Sequence, residues 1–214
     1  MEYSTKFLNE KDKGKTGKYS EFSLFGNLPN SKSGPDLPNG YEVKTTHFKK
    51  IKKNANLYNA RNKIMITSFG NNGIEAIQNT HALEDLHYYD KMRKGVVLIF
   101  EYTPVTGKPV SGSPVTTVLE KIENSKLLTI FTYDLQYLNK GDQEVLKTDF
   151  IKIKTSIEKK KIGQKGQKYL QMIKKKSKNE TYTFGFSNRF STKLVSIFCN
   201  KRMVKNKHRR FVRF

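Results

Sequence analysis

The stretch GPDLPNGYEVKTTHF, Gly34 to Phe48, joins a loop rich in proline and glycine to a segment with the alternation and β-branched residues of a strand. Side chains two residues apart point to the same side of a strand, so Glu42 and Lys44 project together while Val43 faces the core. Asp36, on the preceding loop, can reach the same point. The stretch therefore predicts a strand that brings two carboxylates and a lysine together.

The segments around this stretch predict an α/β fold, with a mixed central β-sheet flanked by helices. The segment Gly95–Tyr102 is apolar enough to form a central strand. Further strands are predicted at Lys63–Phe69, Lys126–Leu135 and Lys168–Ile173, and helices at Thr16–Gly26, Ile74–Met92 and Arg189–Lys201.

The segment Asp142–Lys161 shows two conflicting patterns. Its part IKIKTSI alternates like a strand. Four apolar residues are instead spaced by four, three and four positions, as on one face of a helix: Leu146, Phe150, Ile153 and Ile157. On this helical spacing we predict a helix.

The charge of the chain points to its partner. The 214 residues suit a single domain, 1–214, with a basic C-terminal tail from about residue 200. The 41 Lys and Arg residues against 19 Asp and Glu give a formal net charge of +22, which favours a polyanionic partner and nucleic acid first. No apolar stretch approaches the ~18 residues of a membrane-spanning helix, and no signal peptide is visible, so we expect no membrane partner.

Cysteine usage fits the same picture. A single cysteine, Cys199, excludes an internal disulfide framework and a zinc site built on a CxxC motif. The sequence therefore fits a reducing cytoplasm, and the expected role of Cys199 is that of a small buried hydrophobic residue.

Two carboxylates that converge on one point repel each other unless a cation lies between them, and Mg²⁺ prefers oxygen ligands of this kind. A neighbouring lysine can hold or deprotonate a water molecule for attack on a phosphodiester. Asp36, Glu42 and Lys44 thus have the pattern of a metal-dependent nuclease. The pattern alone is weak, because E-x-K arises readily by chance in a Lys-rich chain and Glu42 with Lys44 also fits a solvated pair.

The stretch DKGKTGKYSE, just upstream, strengthens the pattern. With it, the sequence resembles the MutH-like family of type II restriction endonucleases in the PD-(D/E)xK nuclease superfamily, which includes GATC-cutting enzymes. The family has a Lys-Gly-x-x-Gly turn, a helical Glu, then Pro-Asp and Glu-x-Lys-Thr. The matching residues are Lys13, Gly14, Gly17, Glu21, Pro35, Asp36, Glu42, Lys44 and Thr45. A looser similarity covers about Lys168–Ser196, and DKMRKGVVLIF resembles a basic family segment before a core strand.

This resemblance implies a role for each matching residue. Asp36 and Glu42 would bind Mg²⁺ with the Val43 carbonyl as a further ligand, and Lys44 would position or activate the attacking water. Glu21 would complete the metal site or orient Lys44. The expected DNA contacts are Lys13, Lys91, Arg93, Lys174, Lys175, Lys176, Asn188 and Arg189.

The recognition sequence is less constrained. The loop after the YLQM strand, with Asn188 and Arg189, is expected to contact base edges. The family has Arg-Pro where this chain has Ile173 and Lys174, which puts the GATC site suggested by the resemblance in doubt. The basic segment His47–Lys63 is expected to be a loop, either ordered over DNA or solvated.

The sequence thus predicts an enzyme, a Mg²⁺-dependent type II restriction endonuclease that acts on double-stranded DNA beside a cognate DNA methyltransferase. One active site per chain cuts one strand, so duplex cleavage requires a homodimer or sequential nicking by a monomer. Two alternatives stay open: a MutH-type mismatch-repair nickase and a non-catalytic basic nucleic-acid-binding protein. Glu21, Asp36 and Glu42 argue against the latter, since a pure phosphate binder would gain by losing them.

Overall fold

The structure, a computed structural model, describes residues 20, 22–26, 34–51, 54–102, 126–162, 166–175, 180–206 and 209–214. It is a mixed α/β fold with a curled mixed central sheet flanked by helices. The strands are β1 (Glu42–Ile51), β2 (Asn54–Ala60), β3 (Ile64–Phe69), β4 (Lys94–Glu101), β5 (Leu127–Asp134), β6 (Leu170–Lys175), β7 (Thr181–Phe186), β8 (Met203–Asn206) and β9 (Arg209–Arg213). The helices are α1 (Asn71–Asn79), α2 (Tyr89–Arg93), α3 (Lys140–Glu158) and α4 (Asn188–Phe198), with 3₁₀ turns at Leu83–Asp85 and Leu135–Tyr137.

The central sheet has six strands in the order β5-β4-β1-β2-β9-β8. Strands β1 and β4 are parallel, and the other neighbours in this sheet are antiparallel. As predicted, β4 is an interior strand, and its six consecutive buried residues reflect a strand covered on both faces. A second sheet has three antiparallel strands in the order β3-β7-β6.

Apolar residues are buried on both faces of β1 and β4. The larger core contains Phe48 and Val97 together with residues of β3, β6, β7, α3 and α4. Val43, Leu98 and Phe100 form a smaller cluster, against which Phe25 and Leu37 pack. Strand alternation assigns Glu42, Lys44 and Phe48 to one face of β1 and Val43 to the other. Val43 therefore faces a core as predicted, but the larger core lies on the face of Glu42 and Lys44.

The prediction of a helix near residues 142–161 is confirmed by α3. All four residues of the apolar stripe are buried: Leu146, Phe150, Ile153 and Ile157. The Asn139 side chain accepts a hydrogen bond from the Asp142 N–H (2.9 Å) and caps the helix. The predicted helix stop at Gly26 is also found, since residues 22–25 are helical and Gly26 has a φ of +68°.

The prediction of one continuous helix over Ile74–Met92 is wrong. The segment contains α1, a 3₁₀ turn and α2. The backbone is extended at Thr80, and the Thr80 hydroxyl and N–H both bond to the Ala76 carbonyl, which ends α1. The break allows Leu83 and Leu86 to enter the larger core, a gain that outweighs the local preference for helix.

Two basic segments, predicted as a loop and a tail, are β-structure instead. The segment His47–Lys63 contains the end of β1 and all of β2, which pair as an antiparallel hairpin. The basic tail from about residue 200 forms β8 and β9, and β9 pairs with β2. Phe214 then packs edge-on against the rings of Phe48 and Tyr58, so this partly buried residue lies against the larger core. Among the described helices, none combines the length and apolar character needed to cross a membrane.

The Asp149 side chain links α3 to the start of β6 through hydrogen bonds. The fully buried carboxylate accepts hydrogen bonds from the N–H groups of Lys168, Tyr169 and Leu170, at 2.9, 2.5 and 3.1 Å. Asp149→Ala should therefore lower the free energy of unfolding by about 3 kcal/mol or more, because it leaves two buried donors and one partly buried donor unpaired. Chemical denaturation measures this loss, and Glu158→Ala at the exposed end of α3 is the control. A loss below about 1 kcal/mol would contradict the bonding described here.

Candidate active site

Glu42 and Lys44 form the centre of the site. Glu42 is the first residue of β1 and is only 2% exposed. The Lys44 ammonium, two residues along the same strand, donates to Glu42 Oε1 at 2.6 Å. The prediction that Glu42 and Lys44 project from the same side of the strand is confirmed. The alternative of a solvated pair is wrong, because the Glu42 carboxylate is buried.

Lys91 provides a second cation at the same carboxylate. Its Nζ lies 3.8 Å from Glu42 Oε1, and its side chain is 14% exposed. Helix α2 carries Lys91 and leads directly into β4, the parallel neighbour of β1. The sequence singled out Lys91 for contact with phosphate and gave no sign of its ion pair with Glu42. Arg93, its companion in that prediction, ends α2 with a buried Nε that has no hydrogen-bond partner among the described residues.

Asp36 is held beside Glu42 by the backbone. Its Oδ2 accepts a hydrogen bond from the Val43 N–H at 2.9 Å. A turn directs the loop to this point: the Gly40 N–H bonds to the Leu37 carbonyl, and Gly40 has a φ of +82° that favours glycine. The predicted convergence of Asp36 with Glu42 is therefore supported by a specific contact through Val43. Use of the Val43 carbonyl as a metal ligand stays a prediction.

The electrostatics of Glu42 are unusual for a carboxylate with two neighbouring lysines. Burial raises the pKa of Glu42 above its ordinary value, and the charge of Asp36 raises the pKa further. Lys44 and Lys91 lower the pKa without cancelling the effect of burial. Keeping Glu42 ionised at neutral pH thus costs free energy.

The two oxygens of Glu42 differ in their contacts with the described residues. Glu42 Oε2 is buried and makes no hydrogen bond to any described residue, whereas Oε1 receives Lys44. A buried, unpartnered carboxylate oxygen beside a second carboxylate fits a divalent cation that prefers oxygen ligands. Within the described ranges no group of three or more His, Cys, Asp or Glu residues is positioned to hold a metal. Glu21, the predicted third carboxylate, lies outside those ranges, as do Lys13 and Lys176.

The predicted base-reading residues fall into two separate places. Lys174 and Lys175 belong to β6 rather than to a loop; Lys174 pairs with Glu180, and Lys175 donates to Ser68 Oγ at 2.7 Å. The other pair, Asn188 and Arg189, begins α4 beyond the opposite end of β7. Seven residues of extended chain separate the two groups, about 20 Å. The two groups therefore lie at opposite ends of the three-stranded sheet.

The Asn188 side chain is hydrogen-bonded to the backbone of a neighbouring segment. Its Nδ2 donates to the Arg61 carbonyl at 3.2 Å, and its buried Oδ1 has no hydrogen-bond partner in the described part of the chain. The Arg61 N–H in turn bonds to the His47 carbonyl, well along β1 from Glu42. Asn188 thus lies closer to His47, towards the end of β1, than to Glu42 at its start.

The sequence missed one residue next to Glu42. Tyr133, on β5, is buried within the electrostatic range of Glu42, and its hydroxyl has no hydrogen-bond partner among the described residues. No local pattern could reveal it, because Tyr133 reaches Glu42 only across an intervening strand.

Neither a protein-family model nor a curated protein sequence matches this chain. The resemblance to the MutH-like family accordingly stays a prediction that rests on its motif residues.

The raised pKa of Glu42 predicts a pH-dependent effect on stability. Glu42→Gln should raise the melting temperature by a few degrees at pH 7 in cation-free buffer, because it removes a charge that burial disfavours. As the pH falls through the folded-state pKa, wild-type Glu42 becomes protonated and regains the lost stability. The higher melting temperature of Glu42→Gln should therefore disappear below pH 4.5, the ordinary pKa of a glutamate.

Thermal unfolding of wild type and variant between pH 4 and 8 measures this difference. The matched control is Glu84→Gln, since Glu84 is an exposed glutamate in a surface ion pair with Lys147. A lower melting temperature for Glu42→Gln at pH 7, or a benefit independent of pH, would contradict the assignment.

Proposed function

We propose that this protein is a Mg²⁺-dependent endonuclease that hydrolyses phosphodiester bonds of duplex DNA, with a restriction-endonuclease-like PD-(D/E)xK core of the MutH-like branch. The observation that carries the proposal is the buried Oε2 of Glu42, which has no hydrogen-bond partner among the described residues and lies beside Asp36 and Lys44. Such a group costs free energy unless it binds something. A cation at this point would offset that cost and explain why two carboxylates are brought together in so basic a chain.

Asp36 and Glu42 are the residues that would hold the Mg²⁺. When bound, the ion would polarise the phosphate and lower the pKa of a coordinated water. Lys44 is placed to hold the attacking water, once its ammonium exchanges Glu42 Oε1 for the water. To accept the proton of that water, the ammonium would first have to release its own proton to solvent. Lys91 is placed to contact the phosphate, since it is partly exposed on the same side of Glu42.

The net charge of +22 supports DNA as the substrate. Most of the lysines and arginines of this protein that reach the DNA would contact phosphates, which gives affinity without sequence information and a strong dependence on salt. Base-specific contacts would come from a smaller set. Lys174 and Lys175 are candidates at one end of the three-stranded sheet, and Asn188 and Arg189 at the other.

The type II restriction class adds two requirements. A single site per chain cuts one strand, so the protein would act as a homodimer or nick both strands in sequence. A cognate DNA methyltransferase would protect the host DNA. A MutH-type nickase would use the same site but cut one strand only.

A non-catalytic nucleic-acid-binding protein is the competing function. The observation that favours it is the pairing of Glu42 with two lysines, because a buried ion-pair network also perturbs pKa values. Under this alternative Glu42 Oε2 has no ligand, and divalent cations change neither the stability of the protein nor the integrity of DNA.

Digestion of unmethylated supercoiled plasmid with and without Mg²⁺ tests the proposal. Discrete linear fragments that appear only with Mg²⁺ are the expected result, with 5′-phosphate and 3′-hydroxyl ends. Accumulation of nicked circles would favour the nickase. Intact plasmid, under conditions where a gel shift shows bound DNA, would contradict the proposal and favour the binding protein.

A further inference from the structure

Tyr133 has a buried hydroxyl that its surroundings do not explain. The residue is 1% exposed, and within the described part of the chain its hydroxyl has no hydrogen-bond partner. A buried polar group without a partner is uncommon and costs stability, so it calls for a specific cause. Phenylalanine would fill the same space without this cost.

The strand register places Tyr133 in line with Glu42. Tyr133 pairs with Gly95 across β5 and β4, and Gly95 pairs with Glu42 across β4 and β1. Paired residues point to the same face, so the three residues form a row, with neighbours about 4.8 Å apart. Only glycine separates the two side chains.

Gly95 makes room for the tyrosine ring. A Cβ at Gly95 would lie 2.5 Å from Tyr133 Cε1 and 2.8 Å from its hydroxyl oxygen. The ring therefore extends over Gly95, and its hydroxyl ends above the middle strand, one strand from Glu42. Any larger residue at position 95 would displace the ring from this position.

The hydroxyl and the carboxylate are complementary. Tyr133 offers a donor and Glu42 Oε2 an acceptor, and both atoms are buried without a hydrogen-bond partner in the described ranges. Burial and then the charge of Glu42 raise the pKa of Tyr133, so the phenol keeps its proton at neutral pH. Rotation of the terminal carboxylate of Glu42 is soft and can bring the two groups together.

We propose that Tyr133 is a positioning residue for the candidate cation site: its hydroxyl donates to Glu42 Oε2 when a divalent cation binds. Lys44 or a water then occupies Oε1, and the second lone pair of Oε2 faces the cation. This inference rests on the proposed function, since it assigns the cation to Glu42. It assigns a role to Tyr133, which lies outside the predicted motif. It also explains why position 95 is a glycine, since a larger residue would displace the Tyr133 ring.

The test is thermal unfolding titrated with MgCl₂ at constant ionic strength, without DNA. Tyr133→Phe should melt at or above the wild-type temperature in cation-free buffer, because it removes a buried hydroxyl that has no hydrogen-bond partner in the described part of the chain. Its midpoint for stabilisation by Mg²⁺ should rise about 10-fold or more, as expected for loss of a group that orients a metal ligand. The Mg²⁺ concentration needed for cleavage should shift by the same factor, with near wild-type rates at saturation.

Tyr58→Phe is the matched control. Tyr58 is also a buried tyrosine of the six-stranded sheet, but its hydroxyl already donates to Glu101 at 3.2 Å, at the other end of β4. This variant should therefore melt lower than wild type without cation and keep the wild-type Mg²⁺ midpoint. Gly95→Ala provides a second route, because its methyl group displaces the Tyr133 ring; the Mg²⁺ midpoint should rise while Tyr133 is present.

The outcomes separate the inference from the proposed function. A wild-type Mg²⁺ midpoint in Tyr133→Phe, with cleavage and stabilisation intact, would overturn the inference and leave the proposed function standing. A melting temperature of Tyr133→Phe well below wild type in cation-free buffer would also overturn it, since the hydroxyl would then have a partner already. A wild-type protein that neither responds to Mg²⁺ nor cleaves DNA would overturn both.

Discussion

Glu42→Gln should abolish cleavage of duplex DNA at every Mg²⁺ concentration while leaving the fold intact. Glutamine keeps the size of the side chain and removes the charge that would bind the cation, and higher concentrations of Mg²⁺ cannot restore a lost anionic ligand. Asp36→Ala should have the same effect on cleavage. DNA binding should stay largely unchanged, because the 41 lysines and arginines supply the phosphate contacts.

Two assays distinguish loss of chemistry from loss of binding. Cleavage is followed on a plasmid over a wide range of Mg²⁺ concentrations, and binding by gel shift in Ca²⁺, where we expect tight binding without turnover. Glu84→Gln, an exposed carboxylate replacement, is the control and should cut normally. Cleavage at the wild-type rate by Glu42→Gln or by Asp36→Ala would show that the replaced residue is not a ligand of the cation.

Lys44→Ala should reduce the cleavage rate at saturating Mg²⁺ by a factor of about 10²–10⁴, the range for loss of a general acid–base group. The lysine is held at the site by its 2.6 Å bond to Glu42 Oε1, so its removal takes away the group that we propose holds the attacking water. Single-turnover kinetics with DNA in complex measure the chemical step.

Lys94→Ala is a matched control for Lys44→Ala. Lys94 has similar exposure, 23% against 18%, and lies on the neighbouring strand, but its carboxylate partner is Asp134. This control variant should lose little activity. A loss below tenfold in Lys44→Ala, or an equal loss in Lys94→Ala, would make Lys44 one of many phosphate contacts.

The local part of the site was predictable from the sequence. A period of two residues is enough to place Glu42 and Lys44 on one side of a strand, and the short turn before it brings Asp36 back. Burial of Glu42 was not predictable, because it depends on which face of β1 meets the larger core. The positions of Lys91 and Tyr133 depend on the pairing of β4 and β5 with β1, and no local pattern encodes that pairing.

The fold was predicted best where an apolar period was strong. The stripe of α3 and the apolar run of β4 identified both elements. The end of β1 with β2, and β8 with β9, were mistaken for a loop and a tail because both segments are basic; Lys49, Lys50, Lys205 and Arg213 are exposed. Strand β7 was not predicted, although it holds the three-stranded sheet together through pairing on both sides. Tertiary pairing, rather than local composition, defines these strands.

Crystals of the protein equilibrated with Mn²⁺, at a concentration that supports cleavage in solution, provide the most direct test of the cation site. Mn²⁺ shares the oxygen ligands of Mg²⁺, and anomalous diffraction locates it independently of the protein atoms. We predict an anomalous peak between the carboxylates of Asp36 and Glu42, within about 2.0–2.4 Å of Glu42 Oε2. A peak elsewhere, or Glu42 without any bound ion under those conditions, would contradict the account.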